Sequence, residues 1–143
     1  MSDKGRSIEA LRAEAIAQLS PLLTPDQRQV VFADGDPNSP LVLVGEAPGP
    51  QEDKDGRPFV GPSGRLLNET LASLGIAREQ LYITNTVKVW PTTRSGRSLK
   101  TRPPNAAERQ ASAPFFLREL AIIAPRPILC LGGTHRPALL RKG

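Results

Sequence analysis

Apolar positions along this chain follow the spacing of helices in some segments and of short buried strands in others. Residues 7–19 place Ile8, Leu11, Ala15 and Leu19 near one face, which predicts a packing helix, and residues 24–27 read as a short helical turn. Three apolar runs are predicted as core strands, at 41–44, 81–89 and 128–131. A weaker strand is predicted before them, at about 29–33. Helical spacing between the runs predicts helices over 63–74 and 106–123, ended by Gly75 and Pro125.

The alternation of strands with helices predicts the fold class. Strands separated by helices of this length indicate βαβ units with a parallel sheet. We therefore expect an α/β fold, a three-layer α/β/α domain with a central parallel sheet over residues 28–143, with residues 1–27 as a helical segment packed against it. Residues 91–105 carry three prolines and many polar residues, so an exposed irregular loop is expected there.

Length and composition bound the kinds of protein that this chain can be. Its 143 residues suffice for one domain with a proper core. No apolar run is long enough to span a membrane, and the polar start does not resemble a signal peptide, so we expect a cytoplasmic, nucleoid-associated monomer without membrane contact. The single cysteine, Cys130, cannot form an internal disulfide and agrees with a reducing compartment.

The net charge of +5 is concentrated in one segment. Positions 88–109 contain one acid, Glu108, and six basic residues: Lys88, Arg94, Arg97, Lys100, Arg102 and Arg109. The rest of the chain has no net charge. A basic segment on a neutral body is typical of a surface that follows phosphates, although solubility alone also explains such loops.

The loop after the first core strand carries the densest pattern, GEAPGPQEDKDGRPFVGPSGRLL from Gly45 to Leu67. In open α/β sheets, ligands bind beyond the carboxyl ends of the strands. The pattern resembles the first signature of the uracil-DNA glycosylase superfamily, in particular of its family 4 and family 5 enzymes, and the block YITNTVK at 82–88 resembles a second. The resemblance implies a DNA-repair enzyme that removes uracil, or a related deaminated base, from DNA by hydrolysing the N-glycosidic bond.

The resemblance also implies roles in holding the base. Phe59 lies in the PFVG context of the family's stacking phenylalanine, and Asn85 lies where the family carries its uracil-reading asparagine. Gly45 is expected beside them at the end of the strand. An amide offers one donor and one acceptor, which fits the N3 hydrogen and O4 of uracil. The competing interpretations are a core phenylalanine and an asparagine that caps a strand end.

Three acids of the loop are the candidate catalytic groups: Glu46, Glu52 and Asp53. A carboxylate near the anomeric carbon could activate water and stabilise positive charge on the sugar. The alternative is that some of them cap the loop by accepting backbone N–H bonds, above all Asp53. Contacts with DNA phosphates are expected from Ser63 and Gly64 at a helix start and from the basic segment: Lys88, Arg94, Arg97, Lys100 and Arg102.

The chain departs from the family pattern in two respects. Family 4 enzymes hold a four-iron cluster with four cysteines, and those positions are here Gln18, Pro21, Val89 and Ala111, so neither a metal nor another cofactor is expected. The resemblance covers residues 28–143, about two thirds of the family domain, which therefore looks truncated at its carboxyl end. His135 fits an earlier segment better than the family's late His-Pro-Ser motif.

Two other functions compete with the glycosylase. The missing motif and cluster are also compatible with a nucleic-acid-binding relative that has lost catalysis. A nucleotide or small-phosphate hydrolase on an α/β sheet is a third possibility, but the chain has no Walker loop and no paired metal carboxylates at convincing spacing.

Overall fold

The computed structural model describes residues 1–124 and 128–130, with the backbone alone for residues 129 and 130. The regular elements follow in chain order: α1 (Asp3–Leu19), β1 (Ala33–Gly35), β2 (Val42–Gly45), α2 (Pro50–Asp55), α3 (Pro62–Ser73), β3 (Tyr82–Asn85), β4 (Thr92–Ser95), β5 (Ser98–Thr101), α4 (Ala106–Ile123) and β6 (Ile128–Cys130). Single 3₁₀ turns occur at Ser20–Leu22 and Arg78–Gln80. Our expectations for Pro125, for Leu131 as the end of the third core strand and for His135 fall outside the described residues.

A small mixed sheet with the strand order β1-β3-β2-β6 forms the centre of the fold. The strand β2 is parallel to both β3 and β6, as predicted. The strand β1 is antiparallel to β3, so the expectation of a wholly parallel sheet is wrong. Only residues 36–41 join β1 to β2, and this connection is too short for the crossover that a parallel orientation requires.

Apolar side chains cover both faces of the sheet. Along β2, Val42 and Val44 pack in one cluster with side chains of α1 and α4, whereas Leu43 packs in a second cluster with Leu71 of α3. The same alternation holds for β3, where Tyr82 joins the first cluster and Ile83 the second. Successive strand residues point to opposite faces, so four-residue strands suffice to bury two layers of helix.

The bounds of the helices agree with the prediction more closely than the exposure of their side chains does. The helix α4 spans Ala106–Ile123 as predicted, and Asn105 and Glu108 cap its first turn by exchanging hydrogen bonds of 2.8 and 3.0 Å. The spacing of Leu66, Leu67, Leu71 and Leu74 predicts one apolar face for α3, and this prediction is partly wrong, because Leu66 and Leu74 are 66% and 67% exposed. Within residues 1–124 and 128–130, no helix is long and apolar enough to cross a membrane.

The segment expected to be an irregular loop forms a β-hairpin, and that expectation is wrong. The strands β4 and β5 pair through Ser95 and Ser98, and Gly96 between them adopts φ 63°. A two-residue connection with glycine at its first position favours this turn. The indole N–H of Trp90 donates to the Thr101 hydroxyl at 2.9 Å and so fixes the base of the hairpin.

A buried ion pair joins the segment that follows β3 to α4. The Lys88 ammonium donates to Glu119 at 2.7 Å and to the Thr84 hydroxyl at 2.7 Å, and neither charged side chain has any exposed surface. The Tyr82 hydroxyl donates to the other Glu119 oxygen at 2.5 Å. Burial lowers the pKa of Lys88 below its ordinary value, and the Glu119 carboxylate opposes that shift.

Replacing Lys88 with methionine should destabilise the fold strongly. The substitution leaves the Glu119 charge buried without a counterion, and loss of one partner of a buried pair typically costs ~3–5 kcal/mol. Urea denaturation should show this loss and should show a large part of it recovered in Lys88→Met/Glu119→Leu. Arg118→Met is the matched control, because the Arg118–Glu14 pair lies at the surface with side chains 53% and 39% exposed, so its midpoint should barely move.

Candidate functional site

A pocket of about 370 Å³ lies at the carboxyl ends of β2 and β3. Its walls come from the loop after β2, from the end of β3 and from the base of the β4–β5 hairpin. Its lining includes seven of the residues that the sequence singled out: Gly45, Glu46, Glu52, Phe59, Ser63, Asn85 and Arg102. The edge of the sheet at which the sequence predicted a site therefore contains a cavity.

The ring of Phe59 and the amide of Asn85 meet at Gly45. A Cβ atom added to Gly45 would lie 2.4 Å from the Asn85 Oδ1 and 2.6 Å from the Phe59 Cζ. The parallel register of the two strands sets Gly45 opposite Asn85. Glycine is therefore required here because any side chain would separate the ring from the amide or displace both.

Phe59 has an unusual backbone conformation that its neighbours hold in place. Its φ is 52°, in the left-handed region that is rare for a bulky residue. Arg78 donates to the carbonyl of Phe59 at 2.8 Å and to that of Pro58 at 2.5 Å, and its side chain is only 12% exposed. On the other side, a Cβ on Gly64 would lie 1.9 Å from the Phe59 carbonyl oxygen, so α3 can approach the loop only through glycine.

Arg78 is a site residue that sequence reasoning missed. It also pairs with Asp34 of β1 at 3.3 Å, and Asp34 binds Arg57 at 2.7 Å. These contacts tie the Phe59 loop to the edge of the sheet. No motif marks the two residues, since Arg78 lies in a short 3₁₀ turn and Asp34 in a strand whose pairing the sequence did not reveal.

Asn85 supplies an unused hydrogen-bond acceptor beside the pocket. The residue is 2% exposed, and its Oδ1 has no hydrogen-bond partner within the part of the chain that the structure describes. A buried acceptor without a partner costs ~1–3 kcal/mol, and folded proteins usually avoid it. The amide is therefore a group that a ligand with an N–H donor could satisfy.

Glu52 is buried and braces the loop. Its Oε1 accepts the Gly49 N–H at 2.9 Å, and its Oε2 accepts the N–H groups of Val60 and Gly61 at 2.9 and 2.7 Å. The acid thus joins the start of α2 to the segment that carries Phe59. These contacts favour the capping interpretation for Glu52, while its catalytic role stays a prediction.

Asp53 does not face the pocket. It is 2% exposed and accepts the backbone N–H groups of Arg28 and Gln29 at 2.9 and 3.4 Å. It is absent from the pocket lining, so the expectation that it would act there is wrong. Its orientation follows from the start of α2, which turns adjacent residues to different sides.

Glu46 is the acid of the trio whose position best suits chemistry. It follows β2 directly, is half-buried and lines the pocket together with Phe59 and Asn85. Its carbonyl oxygen accepts the Val87 N–H at 2.9 Å and the Thr86 hydroxyl at 3.0 Å, which fixes the backbone from which the side chain extends.

The basic segment divides into three groups with different surroundings. Lys88 is fully buried against Glu119, so the expectation that it would contact DNA phosphate is wrong. Arg94 and Arg102 pair with Asp26 and Glu108, each at 2.7 Å. Arg97 and Lys100 are exposed on the hairpin, and no ion pair is recorded for either within residues 1–124 and 128–130.

Arg102 connects the hairpin to the pocket rim. Its guanidinium binds both oxygens of Glu108, and Gln27 donates to the same carboxylate at 3.3 Å. Burial would raise the pKa of Glu108, but the hydrogen bonds from Arg102 and Asn105 outweigh it and lower that pKa. The exposed Ser63 and the half-buried Arg102 remain predicted phosphate contacts, whereas Gly64 is buried against the Phe59 loop.

The residues present do not fit the family's iron–sulfur cluster. Such a cluster needs four thiolates, and the chain has one cysteine. Val89 and Ala111, two of the four aligned positions, instead line a cavity of about 320 Å³ together with Leu19 and Leu22. In the described residues, no group of three or more histidine, cysteine, aspartate or glutamate side chains could hold a metal ion.

Comparisons with known proteins point to one family. Residues 32–142 match the profile of the Uracil DNA glycosylase superfamily. The chain is 39% identical over 114 residues to a type-4 uracil-DNA glycosylase of Pyrobaculum aerophilum, which covers 80% of this chain and 55% of the relative. It is 42% identical over 109 residues to the type-4 uracil-DNA glycosylase of Thermotoga maritima, and the match covers 76% of this chain and 53% of the relative.

The matches leave part of each relative without a counterpart. A third, the type-4 enzyme of Sulfurisphaera tokodaii, is 38% identical over 127 residues, which is 88% of this chain and 54% of the relative. The chain thus spans about half the length of the curated relatives that it matches. Since the profile covers most of the chain and includes all three segments that form the pocket, the chain belongs to the uracil DNA glycosylase superfamily.

Proposed function

We propose that this chain carries the base-binding pocket of a DNA-repair glycosylase that removes uracil, or a related deaminated base, from DNA. The observation that supports this most strongly is the meeting of the Phe59 ring and the Asn85 amide at Gly45, inside a pocket that Glu46 also lines. An aromatic face, an amide and a carboxylate are the three groups that base excision requires.

Recognition of the base would use the ring and the amide together. A nucleotide turned out of the stack would place its pyrimidine against Phe59, and stacking on an aromatic side chain tolerates any base. Discrimination would come from Asn85, whose free Oδ1 can accept the N3 hydrogen of uracil while its amide N–H donates to O4. Cytosine presents the opposite pair of groups and would leave both unsatisfied.

Bond cleavage would rely on Glu46. As the bond between the sugar C1′ and the base nitrogen breaks, its electron pair leaves with the base and positive charge grows on the sugar. A carboxylate nearby stabilises that charge and accepts a proton from the water whose oxygen bonds to C1′. The backbone hydrogen bonds to the Glu46 carbonyl would hold this group at the end of β2.

Contacts with the DNA backbone would come from the rim of the pocket. Ser63 lies at the edge of the cavity in the first turn of α3, and Arg102 lies at the base of the hairpin that exposes Arg97 and Lys100. Helix starts and arginines are usual phosphate ligands. Affinity that depends on them would fall steeply with salt.

A second candidate is a nucleic-acid-binding relative without catalysis. It is favoured by the bracing contacts of Glu52 and Asp53, which leave Glu46 as the best-placed acid of the three. Under that alternative, the purified chain would bind DNA but leave no alkali-sensitive abasic site in a uracil oligonucleotide.

Substitution of the two loop glutamates should separate chemistry from architecture. Glu46→Gln should lower single-turnover uracil release by at least ~100-fold at a temperature where the variant is folded, because the amide cannot accept the proton. Glu52→Gln should lower the free energy of unfolding by ~2 kcal/mol, because an amide nitrogen replaces an oxygen that accepts backbone N–H bonds. Undiminished release by folded Glu46→Gln would exclude its catalytic role.

Asn85→Ala should abolish most uracil release with little loss of stability. The substitution removes an acceptor that has no partner in the described residues, so few native contacts are lost. Release from uracil-containing oligonucleotides and denaturant midpoints would be measured side by side. Gly45→Ala is the companion variant, and its methyl group should also suppress release by displacing the ring and the amide. Normal release by both variants would disprove the assignment of the pocket.

Arg78→Met should weaken catalysis through the position of Phe59. Without the two hydrogen bonds to the carbonyls of Pro58 and Phe59, the strained loop can relax, and a misplacement of about 1 Å can cost ~100-fold in rate. Arg57→Met is the matched control, since Arg57 binds the same Asp34 but donates to no loop carbonyl in the described residues. Equal kcat/KM values for the two variants would contradict this role.

A further inference from the structure

A groove of about 730 Å³ continues from the pocket along the surface. It shares Pro50 and Pro62 with the pocket and passes between the hairpin and the amino-terminal ends of α2 and α3. Leu99 of the hairpin and the edge of Trp90 provide apolar contacts along it, and Leu99 is 37% exposed.

Three cations line this groove without an acidic partner. Arg28, Lys54 and Arg65 are exposed, and no ion pair is recorded for any of them within residues 1–124 and 128–130. In contrast, several arginines outside the groove each pair with a carboxylate: Arg6, Arg12, Arg57, Arg78, Arg94, Arg102 and Arg118. Most arginines in the described part of the chain thus have an acid beside them, and the groove arginines are, with Arg97 and Arg109, the exceptions.

The acids of the groove do not neutralise its cations. Asp26 is engaged by Arg94 at 2.7 Å, and Asp53 is buried beneath the backbone N–H groups of Arg28 and Gln29. The exposed charges along the groove are therefore mainly positive. A polyanion lying there would meet guanidinium and ammonium groups while the carboxylates stay occupied.

We propose that this basic groove, defined by Arg28, Lys54 and Arg65, binds the sugar-phosphate backbone of one DNA strand beside the nucleotide held in the pocket. The inference rests on the proposed function in taking DNA as the ligand. Exposed cations would contact the phosphates, and Leu99 and Trp90 would contact the sugars or bases. None of the three cations lies in the basic segment 88–109, so this path extends the DNA-contacting surface to the other side of the groove.

The shape of the groove also sets a direction. It joins the pocket at Pro50 and Pro62, on the side of the α2 and α3 starts. A strand with one nucleotide in the pocket can therefore occupy the groove with the nucleotides on one flank only. The contacts of Arg28, Lys54 and Arg65 should then depend on that flank and not on the other.

The test compares two triple variants that lose the same charge. Arg28→Gln/Lys54→Gln/Arg65→Gln removes the groove cations, and Arg6→Gln/Arg57→Gln/Arg118→Gln removes three arginines that line neither the pocket nor the groove. Affinity for a single-stranded oligonucleotide containing thymine, which offers no uracil to excise, is measured by fluorescence anisotropy at several salt concentrations. The slope of log K against log salt should fall by about 2 in the groove variant, because each lost phosphate contact on a single strand contributes ~0.7. The control should keep the wild-type slope.

A second measurement tests the direction. Uracil oligonucleotides with a long flank on the 5′ or the 3′ side alone are bound by the wild type and the groove variant, and the variant should be weakened with one of the two only. An unchanged slope, a control that loses as much, equal weakening on both flanks, or no DNA binding by the wild type at low salt would each overturn the groove.

Uracil release by the wild type, measured separately, distinguishes this inference from the proposed function. Release together with an unchanged slope in the groove variant would refute the groove alone. A reduced slope without release would support the groove and refute the glycosylase.

Discussion

The parallel pairing of β2 with β3 is the constraint on which the site depends. Its register sets Gly45 opposite Asn85, and both residues are the last of their strands. Each backbone then leaves the sheet at the same height, so the loop that carries Phe59 and the segment that leads to the hairpin enclose one space. A shift of the register by one residue would turn Asn85 to the other face of the sheet. The burial of the Lys88–Glu119 pair beneath β3 helps to hold that register from below.

The sequence predicted which residues line the pocket better than it predicted the contacts that each of them makes. The spacing of apolar runs located the strands β2 and β3, and the motifs indicated that Phe59 and Asn85 lie at their ends, where the structure brings them together. The motif could not show that Glu52 and Asp53 point to different sides. Which side a residue faces depends on where α2 begins, and that short helix has too few residues for a periodic pattern. Arg78 was missed because its role arises from two loop carbonyls, which no side-chain pattern reports.

The basic segment shows a similar limit for charge. Net charge is counted over residues, but its effect depends on which of them reach water, and Lys88 lies in the same run as the exposed Arg97 and Lys100. The apolar residues around Lys88 indicated a strand, yet the acid that neutralises it lies on α4, 31 residues later in the chain. The hairpin was likewise not predicted, because Leu99 is the one apolar residue of its two strands and they carry none of the alternation that marks a half-buried strand.

If the proposed function holds, the arrangement of the three acids explains how a pocket for a polyanion can contain carboxylates. Three exposed charges at its mouth would repel the phosphates on either side of a bound nucleotide. Here the charges of Glu52 and Asp53 are stabilised by backbone N–H groups, and both side chains are almost fully buried, at 8% and 2% exposed. Two acids thus stabilise the loop instead of facing the solvent, and Glu46 is the acid that the proposed mechanism places beside the developing positive charge on the sugar. The same hydrogen bonds hold Phe59 and the backbone of Arg28 in place. Because these two acids are buried, the exposed charge at the rim of the pocket comes mainly from cations.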